Sequence, residues 1–166
     1  MMRSFSRLYL DTNILIELNE GEGTERPCLE QLLARGARSG MSFATSALTI
    51  SELLVKPYRD RKLDLARTYY ALSQGLEWLS VVPVSDEVMD LAALVRARYS
   101  KLKLPDAIHL ASAARYRCEA FLSADQGIED LIIADHPLFE TRPPISVAII
   151  RPDEPTLLSL LEGLPS

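Results

Sequence analysis

Short apolar runs alternate with segments of helical periodicity along most of this 166-residue chain. The runs predict five β-strands, at residues 7–10, 42–45, 79–84, 120–123 and 146–150. The segments between them predict helices, including a long helix at 60–77 and a short one at 128–133. Such alternation is typical of a parallel sheet with helices on both faces. We therefore expect an α/β fold with a single domain over residues 1–166, extended by a strand and a helix from about residue 140.

Four carboxylates occupy places that an α/β fold brings to one edge of its sheet. Asp11 and Asp125 follow predicted strands, whereas Glu52 and Asp106 lie near the starts of predicted helices. Ligands of such folds bind at the carboxyl ends of the strands. Clustered carboxylates repel one another unless a cation joins them, and hard cations such as Mg²⁺ and Mn²⁺ prefer oxygen ligands. The arrangement predicts a metal-dependent hydrolase that acts on phosphodiesters.

Each of these acids also has an ordinary structural interpretation. Asp11 would cap the helix that follows it, and Asp106 would interact favourably with the dipole of its own helix. Glu52 would be a surface residue, and Asp125 would be a turn residue, because a glycine follows two positions later. His109, one helical turn beyond Asp106, is expected to be a satisfied, partly buried residue within reach of that carboxylate. The prediction of a site therefore depends on the four acids as a set.

The charge of the chain limits the kinds of nucleic-acid binding that it can support. A net charge of −5 argues against a broad, sequence-blind nucleic-acid binder. It does not exclude a nuclease, because the acids of a metal site contribute to that charge and a bound cation reverses the local field. Basic residues cluster at 35–38, 56–62 and 96–103, where they would either line a phosphate path or form solvated faces.

The cysteines and the apolar runs indicate a cytoplasmic protein. Cys28 and Cys118 match no metal-ligand spacing, and we expect two buried thiols in a reducing cytosol rather than one disulfide. Residues 1–5 lack the long apolar stretch of a signal peptide. No apolar run approaches the ~20 residues that span a bilayer, so we expect no membrane contact.

Four short motifs follow one another along the chain: Asp11-Thr12-Asn13 after a strand, Ser51-Glu52-Leu53, Leu104-Pro105-Asp106-Ala107-Ile108-His109-Leu110-Ala111 and Ser123-Ala124-Asp125. In this order they resemble the motifs of PIN-domain ribonucleases, and most closely those of the toxins of VapBC-type toxin–antitoxin pairs. The resemblance covers most of the chain, from about Leu8 to Asp125 and beyond. Residues 56–75 and the segment from about 139 onward go beyond the compact toxins of this family, and the residues after Asp125 match its usual ending loosely.

The resemblance implies a fold, a site and partners. The fold is a three-layer α/β/α sandwich with a mainly parallel sheet. In the site, Asp11 and Asp106 bind one or two Mg²⁺ or Mn²⁺ ions directly, and Glu52 and Asp125 bind them directly or through water. Thr12 or Asn13 supports the acids, as does the hydroxyl of Ser123, which lies behind them. The implied activity is hydrolysis of RNA phosphodiester bonds, and the implied partners are an antitoxin protein and a second copy of the chain.

Two other functions compete with this interpretation. A phosphatase could use Asp11 as a covalent nucleophile after a strand, but that pattern requires a second aspartate where this chain has Asn13. A PIN-fold protein could also act mainly as a protein-binding module with weak or lost nuclease activity. The presence of all four acids argues modestly against lost chemistry.

Overall fold

A six-stranded sheet forms the middle layer of the protein, whose computed structural model describes residues 5–164. Its strands are β1 (Arg7–Leu10), β2 (Ser42–Ser46), β3 (Leu79–Val82), β4 (Ala120–Leu122), β5 (Leu131–Ile133) and β6 (Ile145–Ile150). They lie in the order β3-β2-β1-β4-β6-β5, and every pairing is parallel except that of β5 with β6. Residues 1–4, on which the expectation about a signal peptide depends, lie outside the described residues.

Helices cover both faces of this sheet. They are α1 (Thr12–Glu20), α2 (Glu25–Arg38), α3 (Ala47–Arg59), α4 (Leu63–Leu72), α5 (Asp86–Arg98), α6 (Leu104–Arg115) and α7 (Glu154–Glu162). Side chains of α1 to α4 and α7 share one apolar core with Leu8 and Leu10, and those of α5 and α6 share a second core with Tyr9. Because alternate residues of a strand point to opposite faces, one strand supplies both cores. The predicted three-layer α/β/α sandwich with a mainly parallel sheet is confirmed.

The centre of the sheet lies where the chain reverses its direction across it. From β1 the chain adds β2 and then β3 on one side, and it later returns to place β4 on the other side of β1. Tyr9 and Leu10 of β1 and all three residues of β4 are fully buried. Strands that are buried on both faces read as continuous apolar runs, which is why these two were predictable. The point between β1 and β4 is the topological switch at which such sheets bind ligands.

One predicted helix is wrong, because residues 131–133 form strand β5 instead. Leu131 and Ile133 are buried while Ile132 is 64% exposed, so the side chains alternate as in a strand. The backbone pairs antiparallel with β6 at the edge of the sheet. Three consecutive apolar residues carry no periodicity that separates a strand from a helix.

The long helix predicted at 60–77 is also wrong in its bounds, because only Leu63–Leu72 is helical. Pro57 does not stop the preceding helix, which continues through it to Arg59. Arg61 then adopts a φ of 54° and Gly75 a φ of 77°, and each left-handed residue redirects the chain. Both departures come from backbone conformations that apolar spacing does not reveal.

The cysteines behave as predicted within the described part of the chain. Cys28 and Cys118 are free and buried, and they belong to cores on opposite faces of the sheet. Burial raises the pKa of the Cys118 thiol to about 12. No helix within residues 5–164 is long and apolar enough to cross a membrane.

Candidate active site

The sheet brings the predicted acids to its carboxyl edge, around the switch between β1 and β4. Asp11 directly follows β1, and Asp125 lies in the loop after β4. Glu52 is on α3, the helix that leaves β2, and Asp106 is in the first turn of α6. Burial raises the pKa of Asp106, and the negative charges of Asp125 and Asp11, which lie nearby, raise it further.

Asp11 is the most firmly held of the four acids. Only 6% of the residue is exposed, and its buried carboxylate accepts three hydrogen bonds. They come from the backbone N–H of Thr12 at 2.7 Å, from Nδ2 of Asn13 at 2.9 Å and from Oγ of Ser123 at 2.6 Å. The bond from Thr12 makes Asp11 the N-cap of α1, so the capping interpretation also holds. The other two bonds fix the carboxylate in the site.

Asn13 and Ser123 tie the loops after β1 and β4 together across the switch point. The Asn13 amide donates to Ser123 Oγ at 3.2 Å, and its Oδ1 accepts the Ala124 N–H at 3.0 Å. Ser123 Oγ in turn accepts the backbone N–H of Asp125 at 3.0 Å. An aspartate in place of Asn13 would lack these donors and would add a negative charge beside Asp11, so a phosphatase-like aspartate pair does not fit here.

Glu52 belongs to a buried polar chain that runs into the core. Oε2 of Glu52 accepts hydrogen bonds from the Thr12 hydroxyl and, at 2.8 Å, from Nε2 of His109. The other ring nitrogen of His109, Nδ1, lies 2.8 Å from the hydroxyl of Tyr9. Burial tends to raise the pKa of Glu52, but the hydrogen bonds from His109 and Thr12 outweigh it and lower the pKa below its ordinary value. Glu52 is therefore a fixed, ionised carboxylate rather than a free surface residue.

His109 is buried and satisfied, as expected, but its partner is not Asp106. Its side chain is 2% exposed, and Nε2 faces Glu52 while lying 4.0 Å from Oδ1 of Asp11. Helical spacing puts Asp106 within reach of His109, because the two are one turn apart, but it does not determine the partner. Glu52 lies 57 positions away in sequence, so no local pattern could have identified it.

Asp106 differs from Asp11 and Glu52 in having no hydrogen-bond donor among residues 5–164. Burial raises its pKa, and the nearby charges of Asp125 and Asp11 raise it further. His109 and Lys103 act in the opposite direction but more weakly. Asp106 is thus a carboxylate whose charge the described residues leave largely uncompensated.

Asp125 is exposed, and its backbone is held from β6. Its Oδ1 accepts the Gly127 N–H at 2.8 Å, so the turn interpretation describes its local structure. Arg151, which directly follows β6, donates to the carbonyl oxygens of Ser123, Asp125 and Ile128 and so pins the whole loop. Arg151 did not stand out in the sequence, although its position after a strand is the same signal that identified Asp11.

The donor set suits a hard divalent cation, although the side chains are not yet closed around one. Four carboxylates face one edge of the sheet, and burial and then its acidic neighbours raise the pKa of the one without a donor, Asp106. Within residues 5–164, no three His, Cys, Asp or Glu side chains stand in an arrangement that could already hold an ion. Binding would therefore require rotamer changes, for which Asp106 is free, whereas Asp125 would have to give up its hydrogen bond from Gly127.

The chain is similar to known proteins in sequence and in fold. Residues 8–132 match the sequence model of the PIN domain family. A chain in a toxin–antitoxin complex from Klebsiella pneumoniae is 30% identical, and the match covers 71% of this chain and 86% of that one, with a TM-score of 0.52. No curated protein matches the chain significantly.

More distant solved structures share the fold. VapC20 from Mycobacterium tuberculosis, described as a sarcin–ricin loop cleaving toxin, is 17% identical, with 69% of this chain and 86% of that chain covered and a TM-score of 0.54. A chain of the DNA-bound VapBC complex from Salmonella typhimurium is 14% identical, with 89% and 98% covered and a TM-score of 0.57.

Proposed function

Since this chain belongs to the PIN domain family, we propose that it is a metal-dependent endoribonuclease and the toxin of a type II toxin–antitoxin pair. The observation that carries the proposal is the contrast within the acidic site. Asp11 is held by three donors, whereas Asp106 has its pKa raised and has no donor among the described residues. A site that keeps an uncompensated carboxylate beside a fixed one is suited to a cation.

The four acids have different roles in this proposal. Asp11 and Asp106 are the direct ligands of one or two Mg²⁺ or Mn²⁺ ions, and Glu52 and Asp125 complete the shell directly or through water. The chemistry that a bound cation supplies is neutralisation of phosphate charge and activation of water. Thr12 and His109 keep Glu52 ionised and oriented through their hydrogen bonds.

The residues around the acids position the site. Asn13 and Ser123 orient Asp11 and hold the loops of β1 and β4 at a fixed separation. Arg151 fixes the backbone that carries Asp125. Such support matters because catalytic groups lose effectiveness when they are misplaced by about 1 Å.

RNA is the substrate that we propose, in the cytoplasm where transcripts are found. VapC20, with the same fold, is described as a toxin that cleaves the sarcin–ricin loop. Lys103, at the N-cap of α6, is exposed and lies close enough to Asp106 to oppose the rise in the pKa of that carboxyl. It therefore offers a positive charge to a phosphate that approaches the acids. A single lysine beside an acidic centre suits one bound strand rather than broad binding.

The proposed protein partners are an antitoxin and a second copy of this chain. Several similar structures are toxin–antitoxin complexes. On this chain, α3 and α4 expose four large apolar side chains, each between 57% and 60% exposed: Val55, Tyr58, Leu63 and Tyr70. Tyr58, Leu63 and Tyr70 line one shallow hollow. Contiguous exposed apolar surface is typical of protein interfaces.

Cleavage of a mixed RNA panel with Mg²⁺ or Mn²⁺ tests the proposal. The wild type is compared with Asp11→Asn and Asp106→Asn, with EDTA, and with Asp64→Asn, which changes a fully exposed aspartate on α4. We expect cleavage by the wild type and Asp64→Asn only. Cleavage that survives Asp11→Asn or EDTA would refute the metal site. No cleavage by a folded wild type that binds its antitoxin would favour the binding-module alternative.

A further inference from the structure

A cavity lies at the opposite edge of the sheet from the acids. Its volume is about 450 Å³, which is within the range of small-molecule sites. It lies between α5, the C-terminal end of α6, the residues that precede β4 and the connection from β5 to β6. Leu91 and Leu94 of α5 and Ile133 and Ile145 at the strand ends give it apolar walls. Nothing in the proposed nuclease chemistry uses this cavity.

The acids at the rim of this cavity already have donors. Glu119 accepts from the backbone N–H and the hydroxyl of Ser6, at 2.8 and 2.7 Å. Asp135 forms an ion pair with Arg98 at 2.8 Å. A hydrogen bond from Ser85 lowers the pKa of Glu87. These three carboxylates are therefore committed to groups of the protein and are poorly placed to receive a cationic ligand.

Asp90 of α5 binds two residues of the connection from β5 to β6, which lines the cavity. Asp90 accepts from Nε2 of His136 at 2.9 Å and from Arg142 at 3.4 Å. The guanidinium of Arg142 also lies 4.0 Å from the centre of the Phe139 ring. His136 and Arg142 thus both have partners within the protein, so neither is free to bind a ligand.

Two arginines of the lining remain uncommitted. Arg115 affects the pKa of Glu87 through space but forms no ion pair with any residue from 5 to 164. The guanidinium of Arg117 has neither a hydrogen bond nor an ion pair among the described residues. Among the charged side chains that line the cavity, the two without a hydrogen bond or an ion pair to a described residue are therefore both positively charged.

Arg117 has a backbone conformation that is unusual for a residue with a side chain. Its φ is 57°, in the left-handed region, at the position after the C-cap of α6 where glycine is the usual residue. An arginine there costs conformational free energy that a glycine would not. Arg61 occupies the equivalent position after α3 with a φ of 54°, and these two are the non-glycine residues with positive φ in the described chain. Arg61 therefore offers a matched control.

We propose that this cavity binds a small organic anion with an apolar body, whose charge is received by Arg115 and Arg117. The apolar walls supply contact area, and the arginines supply charge-assisted hydrogen bonds. The site is independent of the acidic centre, so it can be tested without any nuclease assay.

Calorimetric titration of the full chain with three naphthalene derivatives tests the ligand class. The probes are naphthalene-1-sulfonate, 1-naphthalenemethanol and 1-naphthylmethylammonium, which share a ring and differ in charge. We expect saturable binding of the sulfonate, at least about tenfold tighter than that of the ammonium compound, because a hydrogen bond to a charged group has roughly that effect. Equal affinities for the three probes, or no saturable binding of the sulfonate at millimolar concentration, would overturn the proposal.

Variants test the assigned residues. Arg117→Gly should fold at least as well as the wild type, because glycine favours positive φ, and should bind the sulfonate about tenfold more weakly. Arg61→Gly should gain similar stability and keep the affinity of the wild type. Arg115→Gln provides a second loss of charge with little change in volume. Wild-type affinity in both Arg117→Gly and Arg115→Gln, or an equal loss in Arg61→Gly, contradicts the assignment.

Discussion

Replacing His109 with leucine would interrupt the series of hydrogen bonds that links Tyr9 in the core to Glu52 in the acidic site. His109 lies 2.8 Å from the Tyr9 hydroxyl and 2.8 Å from Oε2 of Glu52, and its side chain is 2% exposed. Leucine is close to histidine in size, so the cavity left behind is small. The main cost is the loss of two hydrogen bonds, which leaves one buried hydroxyl and one carboxylate without this partner.

The size of the effect can be worked from these contacts. Loss of the bond to the ionised Glu52 costs about 1.5 kcal/mol, the low end for charged groups, because a third of that side chain reaches solvent. Loss of the bond to the buried Tyr9 hydroxyl costs roughly 1–2 kcal/mol. The total is about 3 kcal/mol, which for a domain of this size lowers the melting temperature by roughly 6–12 °C.

A double-mutant cycle separates the contribution of the Tyr9–His109 hydrogen bond to stability from that of simple packing. Tyr9→Phe alone should cost roughly 1–2 kcal/mol, because it leaves Nδ1 of His109 without a partner. The double variant should cost less than the sum of the two single variants by about 1 kcal/mol, since removing both members of a pair leaves neither unsatisfied.

Urea unfolding, followed by the fluorescence of Trp78, the single tryptophan, measures these differences. His136→Leu is the matched control, since this histidine is also buried and also makes two hydrogen bonds, to Asp90, whose side chain is 41% exposed, and from the N–H of the exposed Leu138. Water can replace both of these partners more readily than it can replace Tyr9. His136→Leu should cost about 1 kcal/mol or less. The reasoning fails if His109→Leu unfolds within about 0.5 kcal/mol of the wild type, if it costs no more than His136→Leu, or if the cycle is additive.

Three further predictions concern the acids and the cysteines. Saturating Mg²⁺ or Mn²⁺, at about 100 times the dissociation constant, should stabilise the wild type by roughly 2.7 kcal/mol, or about 5–10 °C, and Asp106→Asn should abolish that shift in thermal melts. Because the pKa of Asp106 is raised above its ordinary 3.8, the native state binds its proton more tightly than the unfolded chain, and stability falls as pH rises through that window. In EDTA, the free energy of unfolding of Asp106→Asn should therefore rise relative to that of the wild type as the pH increases from about 3.5 to 7, as urea titrations measure. A difference in free energy that does not change with pH would contradict this. For the thiols, burial raises the pKa of Cys118 to about 12, so in Cys28→Ser the remaining thiol should react with Ellman's reagent at pH 8 only after urea is added; rapid reaction of the folded protein would contradict it.

The sequence was most informative where burial is complete. Strands β1 and β4 are buried on both faces, so they read as uninterrupted apolar runs, and the residue that ends each run marks the carboxyl edge of the sheet. That rule identified Asp11 and Asp125 and, with the helix starts, Glu52 and Asp106. It also would have identified Arg151, which follows β6 in the same way.

The sequence was least informative where a partner is distant or where the backbone alone decides. His109 bonds Glu52 across 57 positions, and one-turn spacing, which puts Asp106 within its reach, does not determine the partner. Strand β5 is three residues long, too short for a period, and its pairing with β6 decides its conformation. The break between α3 and α4 depends on the left-handed conformation of Arg61, a residue that helices ordinarily tolerate well.

The uneven support of the four acids has a consequence for how a cation would be bound. Asp11 and Glu52 are fixed by hydrogen bonds from α1, α6 and the loop after β4, so their positions are set by the fold itself. Asp106 has no donor among the described residues, and the Asp125 side chain is exposed. Binding of a cation would therefore move Asp106 toward the fixed pair, and would move the Asp125 side chain only if its hydrogen bond from Gly127 breaks. If a cation binds here as we propose, the fold holds two of its ligands in place in advance and leaves Asp106 to adapt.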